Sequence, residues 1–179
     1  QFMLIIKSIE AIKSGLLVHQ QPVRNFPRAL NFPFSKLYVQ LTTQIKTTEI
    51  SSECILFDSV QAFNETKIYS DPDYWNESCT TDEIAKYWMF GQNGQGDLWL
   101  FDIENKVYFY DHNRAQMCKE NFAELDLNFE QWLQFADLNK QLDDVYETQD
   151  EISAEIEMEY KAKLSELNNV LLKNYPFDI

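Results

Sequence analysis

The fold is decided by residues 84–111, IAKYWMFGQNGQGDLWLFDIENKVYFYD, and by residues 127–135 further along, LNFEQWLQF. The first stretch contains three segments, IAKYWMF, DLWLF and KVYFYD, each five to seven residues long and rich in β-branched and aromatic side chains. Such segments, separated by turn-forming residues, predict consecutive antiparallel strands. Because both faces of these strands carry apolar or aromatic side chains, we expect each face to be covered at least in part by helices or another layer.

Turn-forming residues lie between these segments. Gly91, Gly94 and Gly96 are expected to supply positive φ for the first turn, and Glu104-Asn105 for the second, since glycine and asparagine accept that conformation. A glycine-rich loop can also hold a phosphate group, but it then leads into a helix and carries a Lys-Ser/Thr pair, which this loop lacks. We therefore interpret the glycines as turn residues.

The N-terminal third predicts two helices around a proline-rich loop. Residues 2–17 carry apolar side chains at helical spacing, and Gly15 would weaken or end that helix. Three prolines then break regular structure between residues 19 and 34. Ser35 can cap a second helix that runs to about Gln44, although a strand over YVQLTTQI remains an alternative because Thr and Val favour sheets.

The segment from residue 53 to residue 83 predicts a strand, a helix and a loop. Residues 53–57, ECILF, have the pattern of a short buried strand, and Asp58 or Ser59 can cap a helix that runs toward Ile68. The polar stretch that follows begins with acidic spacing like that of a calcium loop. Its sixth position lacks glycine and its twelfth lacks glutamate, so we interpret it as a surface loop.

The C-terminal third predicts helices. Asn128 and Gln131 have the spacing of a capping box at the start of an amphipathic helix, and a possible edge strand precedes it near Met117. From about residue 148 to 174, apolar side chains recur in steps of three and four opposite Glu and Lys. This pattern predicts a long acidic amphipathic helix that ends before Pro176. The whole chain, 1–179, is expected to be a single α+β domain with a mainly antiparallel central sheet flanked by helices.

The charge of the chain restricts its partners. With 15 Lys and Arg against 29 Asp and Glu, the formal net charge is −14. Residues 1–50 hold six basic and two acidic side chains, so the remaining 129 residues carry a charge of −18. Such a surface repels phosphate backbones and anionic lipid headgroups, and we expect neither nucleic acid nor membrane as a partner. A basic protein is the electrostatic match.

The cysteines and hydropathy indicate a compartment. Cys54, Cys79 and Cys118 are odd in number, far apart and in no CxxC spacing, so neither a disulfide framework nor a zinc site is expected. The apolar run at residues 2–6 is too short for a membrane span. A reducing, cytoplasmic location is the expectation that follows.

The run from Tyr87 to Asn113, followed by NFEQWLQF, resembles the sequence core of the SUKH superfamily, which includes fungal cell-wall synthesis regulators and many bacterial immunity proteins. The likeness covers about residues 84–142, and the helical segment at about 148–174 is an extension of it. The positions that match are Gly94, Gly96, Asp97, Leu100, Asp102, Val107, Asp111, His112, Phe129 and Leu133.

The resemblance implies a non-catalytic α+β domain that binds another protein. An immunity protein that neutralises a cognate bacterial toxin, in many such systems a nuclease, is the most specific form of this expectation. A regulatory adaptor of the same fold is the alternative. The resemblance and the composition leave the oligomeric state open.

Exposed acids on loops around the sheet are the candidate contacts with a basic partner: Asp71, Asp73, Glu77, Asp97, Asp102 and Glu104. No catalytic residue, metal or cofactor is expected. The competing hypothesis is an enzyme in which Asp97, Asp102 and Asp111, at strand ends, act as general acid and base or bind a metal together with His112. Aspartates beside turns more commonly accept hydrogen bonds from local backbone N–H groups, and we favour that interpretation.

Overall fold

The computed structural model of the chain describes residues 3–114 and 116–178. Within these residues, six strands form one antiparallel sheet in which neighbours in the chain are neighbours in the sheet. The strands are β1 (Thr48–Ser51), β2 (Cys54–Leu56), β3 (Tyr87–Gln92), β4 (Leu98–Asp102), β5 (Val107–Tyr110) and β6 (Phe122–Glu124). The three strands predicted in the central stretch are confirmed, and they occupy the middle of the sheet.

Helices surround this sheet, so the α+β class with an antiparallel sheet is confirmed. In the described part of the chain there are seven α-helices and two short 3₁₀ helices, the latter at Pro72–Tyr74 and Lys119–Asn121. The α-helices are α1 (Ile9–Leu17), α2 (Lys36–Gln44), α3 (Ser59–Tyr69), α4 (Thr81–Ile84), α5 (Phe129–Thr148), α6 (Ala154–Leu167) and α7 (Asn169–Lys173). Among the described residues, none of these helices has both the length and the apolarity that crossing a bilayer requires.

Side-chain caps determine where several helices begin. Ser35 accepts a hydrogen bond from the Tyr38 N–H, which confirms the predicted start of α2. Asp58 rather than Ser59 caps α3, by accepting from the Gln61 N–H. Asn128 and Gln131 form the predicted capping box at α5. Each cap satisfies a backbone donor that the first turn of a helix leaves unpaired.

Alternation along the central strands divides their side chains between two cores. In β4, Trp99 and Phe101 pack into the larger core, whereas Leu98 and Leu100 pack into the smaller one on the opposite face. β3 and β5 divide in the same way, as the two-residue period of a strand requires. The prediction that both faces are covered is therefore confirmed.

The two cores have different covers. The larger one contains buried residues of α1, α2, α5, α6 and α7, and it is rich in rings such as the buried Tyr38, Phe129 and Trp132. The smaller one is covered mainly by Trp75 and Met117 from loops, Ile84 from α4 and Phe122 from β6, and Tyr69 at the end of α3 packs against it. This second face is where the loops that follow α3 and β5 lie against the sheet.

Several predicted boundaries are wrong. Residues 4 and 5 precede α1, because Ser8 caps that helix at Ile9, and α1 continues past Gly15 to Leu17. Ile84 ends α4 instead of opening β3. The possible edge strand near Met117 is a single parallel bridge to Trp75, and the edge of the sheet is formed by β6. The strand alternative for α2 is also wrong, and β1 was not predicted.

The turn prediction is correct for two residues. Gly96 has φ +87° and Asn105 has φ +62°. Gly91 lies within β3, at a point where the pairing with β4 shifts register, and Gly94 is in the turn without positive φ. Position 91 favours glycine for a steric reason, because a Cβ atom there would lie 2.5 Å from the carbonyl oxygen of Ile55 in β2.

The predicted helix from residue 148 to 174 is not one helix. Thr148 is the last residue of α5, and Ser153 caps α6 after a short link. Asn168 both ends α6 and caps α7, by accepting from the Val170 N–H. Its side-chain amide donates to the carbonyl and the carboxylate of Asp126. These contacts fix the break, which the apolar spacing alone did not reveal.

Candidate functional site

A cleft of about 520 Å³ lies over the second face of the sheet, beside the turn between β4 and β5. We call it the Asp102 cleft. It contains two of the predicted contact residues, Asp102 and Glu104. Its other lining residues come from the loop after α3, from α4, from the start of β3 and from the second 3₁₀ helix: Trp75, Ser78, Cys79, Glu83, Lys86, Tyr87, Ile103, Lys119 and Glu120.

Asp102 is held in place by the turn that it begins. One carboxylate oxygen accepts from the backbone N–H groups of Glu104 and Lys106, at 2.8 and 3.1 Å. The other accepts from the hydroxyl of Tyr108 at 3.0 Å. Burial and this carboxylate raise the pKa of Tyr108, so that hydroxyl remains a donor. Asp102 is thus a structural residue of the turn, and its position is fixed without a partner.

An aromatic wall lies beside the turn, because Tyr87 pairs with Asp102 across β3 and β4. The Tyr87 ring is 5.5 Å from the rings of both Trp75 and Phe122. Trp75 is buried, and its indole N–H donates to the Tyr69 carbonyl at 2.6 Å. Burial, with the charge of Asp102 and of other nearby acidic groups, raises the pKa of Tyr87 to about 12. The wall is therefore rigid and lies in a negative field.

Some charged groups of the cleft form hydrogen bonds within the protein, and others do not. Glu83 is part of a capping box, in which it accepts from the Thr80 N–H at 3.1 Å. Within the described residues, the carboxylates of Glu104 and Glu120 have no hydrogen bond or ion pair, and Lys86 and Lys119 have no ion pair. The lining carries four carboxylates against two ammonium groups. It can attract a cation without first breaking a salt bridge.

The other predicted contacts on this side lie outside the cleft. Asp71 caps the first 3₁₀ helix, by accepting from the Asp73 N–H at 3.0 Å. Asp73 and Glu77 are exposed on the same loop. Trp75 holds this loop against the sheet, because its side chain is buried in the smaller core, and its backbone forms a bridge with Met117. All three acids are on the surface, as predicted, but the structure does not bring them into the lining with Asp102.

Asp97 lies at the opposite end of β4 from Asp102. Since a strand rises about 3.3 Å per residue, their Cα atoms are about 16 Å apart. Asp97 is only 6% exposed. Its carboxylate accepts from the Asn93 side-chain amide at 3.0 Å and from the His112 backbone N–H at 3.1 Å, and it contacts the His112 Nδ1 at 2.5 Å. Because Asp97 is buried and its carboxylate is hydrogen-bonded, it is not the exposed contact residue that we predicted.

The proposed trio of catalytic aspartates is therefore divided. Asp97, Asp111 and His112 lie together, with one potential ligand atom from each within 4.8 Å of the others, a spacing that could hold a metal ion. Asp102 lies at the other end of the strand. The structure brings together two of the three aspartates with the histidine, and it excludes one site that contains all three.

A second acidic cleft, of about 310 Å³, adjoins this group. Its lining includes the carboxylates of Glu53, Asp97, Asp111 and Asp178. Burial raises the pKa of Glu53, which accepts a hydrogen bond from Asn93. Glu53 precedes β2, and sequence reasoning missed it because its neighbours depend on the pairing of β2 with β3.

Apart from Asp102 and Glu104, sequence reasoning also missed the lining of the Asp102 cleft. Glu83 had a usable signal, since Thr80 and Glu83 have the spacing of a capping box. Tyr87 also had one, since it pairs with Asp102 in the antiparallel hairpin that the sequence predicts. Glu120 had none, because only the folded chain places the segment after β5 beside the start of β3.

No family model matches the chain, and no curated protein or solved structure is significantly similar to it.

Proposed function

We propose that this protein is a non-catalytic binding domain for a basic protein. One observation carries the proposal: the described surface has far more carboxylates than cations to pair with them. Lysines form only five ion pairs with carboxylates in the part of the chain that the structure describes, against 29 acidic residues in the sequence. Unpaired charge of one sign attracts a partner of the other sign and raises the association rate.

In its most specific form, the proposal is an immunity protein of the cytoplasm that neutralises a cognate toxin. It rests on the resemblance of the central stretch to the SUKH superfamily and on the charge. A nuclease presents a basic cleft to its phosphate substrate, so an acidic inhibitor is attracted to the same cleft. In the adaptor alternative the partner is again a basic protein, but it is not a toxin.

Capture from an extract of the native organism tests the binding function. The immobilised protein is incubated with extract at low salt and eluted in steps of rising salt, and the eluate is identified by mass spectrometry. We expect a basic protein that is released as salt rises, because screening weakens contacts between exposed charges. Recovery of no basic partner at low salt would refute the proposal.

Immunity and adaptor functions differ in what the partner does. If the captured protein is a toxin encoded beside this gene, co-expression of the two should restore growth of a host that the toxin alone kills. A captured partner that is harmless to the host, with no toxin gene nearby, would favour the adaptor.

The group of Asp97, Asp111 and His112 favours a second candidate, an enzyme or a metal-dependent protein. An aspartate that holds Nδ1 of an imidazole orients the other ring nitrogen, an arrangement found at catalytic and metal sites. Thermal denaturation with and without divalent cations is the first test. A rise in melting temperature that His112→Ala abolishes would support this candidate, and its absence for all the cations tried would count against a metal.

A further inference from the structure

We infer that the Asp102 cleft is the docking site of the basic partner, and that it receives an arginine side chain that projects from the partner's surface. This inference rests on the proposed function and deepens it, since it names the surface and the chemistry of the group bound there. Four features of the cleft support the inference: its size, its charge, its aromatic wall and its preformed turn.

The cleft has the dimensions of a binding site. Its volume, about 520 Å³, lies in the range of about 300–1,000 Å³ typical of ligand pockets. Its walls come from segments that are distant in sequence and that pack together in the smaller core. The opening is consequently part of the fold, not a gap in one loop.

The charge of the lining selects a cation. Glu104 and Glu120 are free of hydrogen bonds and ion pairs within the described residues, and they stand on two separate segments. A cation in the cleft is attracted by both without displacing an existing partner. The two lysines of the cleft oppose this attraction, so their removal should strengthen binding. Removing the lysines and removing the carboxylates are thus predicted to change the affinity in opposite directions.

The aromatic wall favours a guanidinium group over an ammonium group. Guanidinium is planar, stacks on aromatic rings and is less strongly hydrated than ammonium. Tyr87 lines the cleft, and its ring is supported from Trp75 and Phe122. A side chain with five N–H donors can contact the ring and the carboxylates at once.

Asp102 supplies a fixed acceptor. The carboxylate oxygen that accepts from Tyr108 takes a single hydrogen bond, so it retains capacity for another. Because the turn already holds this carboxylate, little side-chain freedom is lost when a ligand binds it. Asp102 is unsuitable for a test, since its substitution disturbs the turn. Glu104 and Glu120 are suitable because no partner depends on them.

The first arm of the test uses small-molecule probes in place of the partner. N-acetyl-arginine amide is titrated into the ¹⁵N-labelled protein while the indole N–H signal of Trp75 is followed by NMR. We expect that signal to shift with arginine amide, and N-acetyl-lysine amide to bind less tightly. The double variant Glu104→Gln/Glu120→Gln should weaken the arginine response at least about threefold. Asp150→Asn/Glu151→Gln loses the same charge in the exposed link between α5 and α6, and it should behave as wild type.

The second arm repeats the comparison with the captured partner. The Glu104→Gln/Glu120→Gln variant should bind it at least about threefold more weakly than the Asp150→Asn/Glu151→Gln control does, and Lys86→Gln/Lys119→Gln more tightly. The melting temperatures of the variants show that each remains folded.

The outcomes separate this inference from the proposed function. If a basic partner binds, but the Glu104→Gln/Glu120→Gln variant and the control bind it equally, the cleft is not the docking site and the binding function stands. If arginine amide shifts Trp75 in the predicted way but no basic partner exists, the function fails and the cleft's chemistry stands. Equal binding of arginine and lysine amides would overturn the preference for guanidinium.

Discussion

Replacing Gly91 by alanine should destabilise the protein because the substitution places a methyl group against the backbone of the neighbouring strand. The Cβ atom would lie 2.5 Å from the Ile55 carbonyl oxygen and 3.5 Å from the Trp99 Cβ. Ile55 belongs to β2, which pairs with β3 at Gly91. Neither neighbour is the flexible end of a side chain, so the strands themselves must separate.

The magnitude follows from two opposing effects. Overpacking of this kind costs about 1–3 kcal/mol, whereas replacing glycine by alanine lowers the entropy of the unfolded chain and returns about 0.4–1 kcal/mol. The midpoints of the two ranges leave a net loss of about 1.3 kcal/mol. For a chain of this size, each kcal/mol lowers the melting temperature by about 2–4 °C, so we expect a decrease of about 3–5 °C.

Gly15→Ala is the matched control. Gly15 lies within α1, and a Cβ atom there would have no neighbour within 4 Å. Because glycine costs about 0.5–1 kcal/mol relative to alanine inside a helix, this variant should melt at a higher temperature than wild type. Both variants are measured by thermal denaturation followed by circular dichroism. The reasoning is refuted if Gly91→Ala melts at or above the wild-type temperature.

Two further predictions concern buried hydrogen bonds. Tyr38→Phe leaves the buried indole N–H of Trp88 without its acceptor, now 2.7 Å away, so chemical denaturation should show a loss of about 1–3 kcal/mol. The exposed Tyr146 provides the control Tyr146→Phe, and equal stability of the two variants would contradict the prediction. Burial alone would raise the pKa of Asp97, but hydrogen bonds from Asn93 and His112 hold this pKa below its usual value. The carboxylate therefore stabilises the fold at neutral pH, and that contribution is lost as pH falls through the folded pKa. Urea titrations from pH 7 to pH 3 should show the stability difference between wild type and Asp97→Asn shrinking below about pH 4, and a constant difference would count against it.

Local patterns in the sequence were sufficient for the centre of the fold. The continuous apolar and aromatic side chains from Trp88 to Phe90 and from Leu98 to Phe101 predicted that both faces of the strands are covered, and both are. Asn105 adopts positive φ where the sequence placed a turn. These features depend on neighbours in sequence, which is why the sequence predicts them.

Features that depend on distant neighbours were not predictable. Gly91 looked like a turn residue because its close approach to Ile55 exists only once β2 and β3 pair. The break at Asn168 depends on its contact with Asp126, which is 42 positions away in the chain.

The candidate site shows the same limit. Asp97 and Asp102 were grouped because each was predicted at the end of a strand, but they lie at opposite ends of the same strand, β4. Glu120 was missed because it reaches the Asp102 cleft through the loop that follows β5. Acidic residues could be listed from the sequence, whereas their assembly into one cleft required the tertiary structure.

The association rate with the captured basic partner, measured by stopped flow over a series of salt concentrations, tests the central claim most directly. If unpaired carboxylates steer the encounter, the rate constant should fall about tenfold to a thousandfold between low and high salt. A rate constant that does not change with salt would contradict the claim that charge recruits the partner.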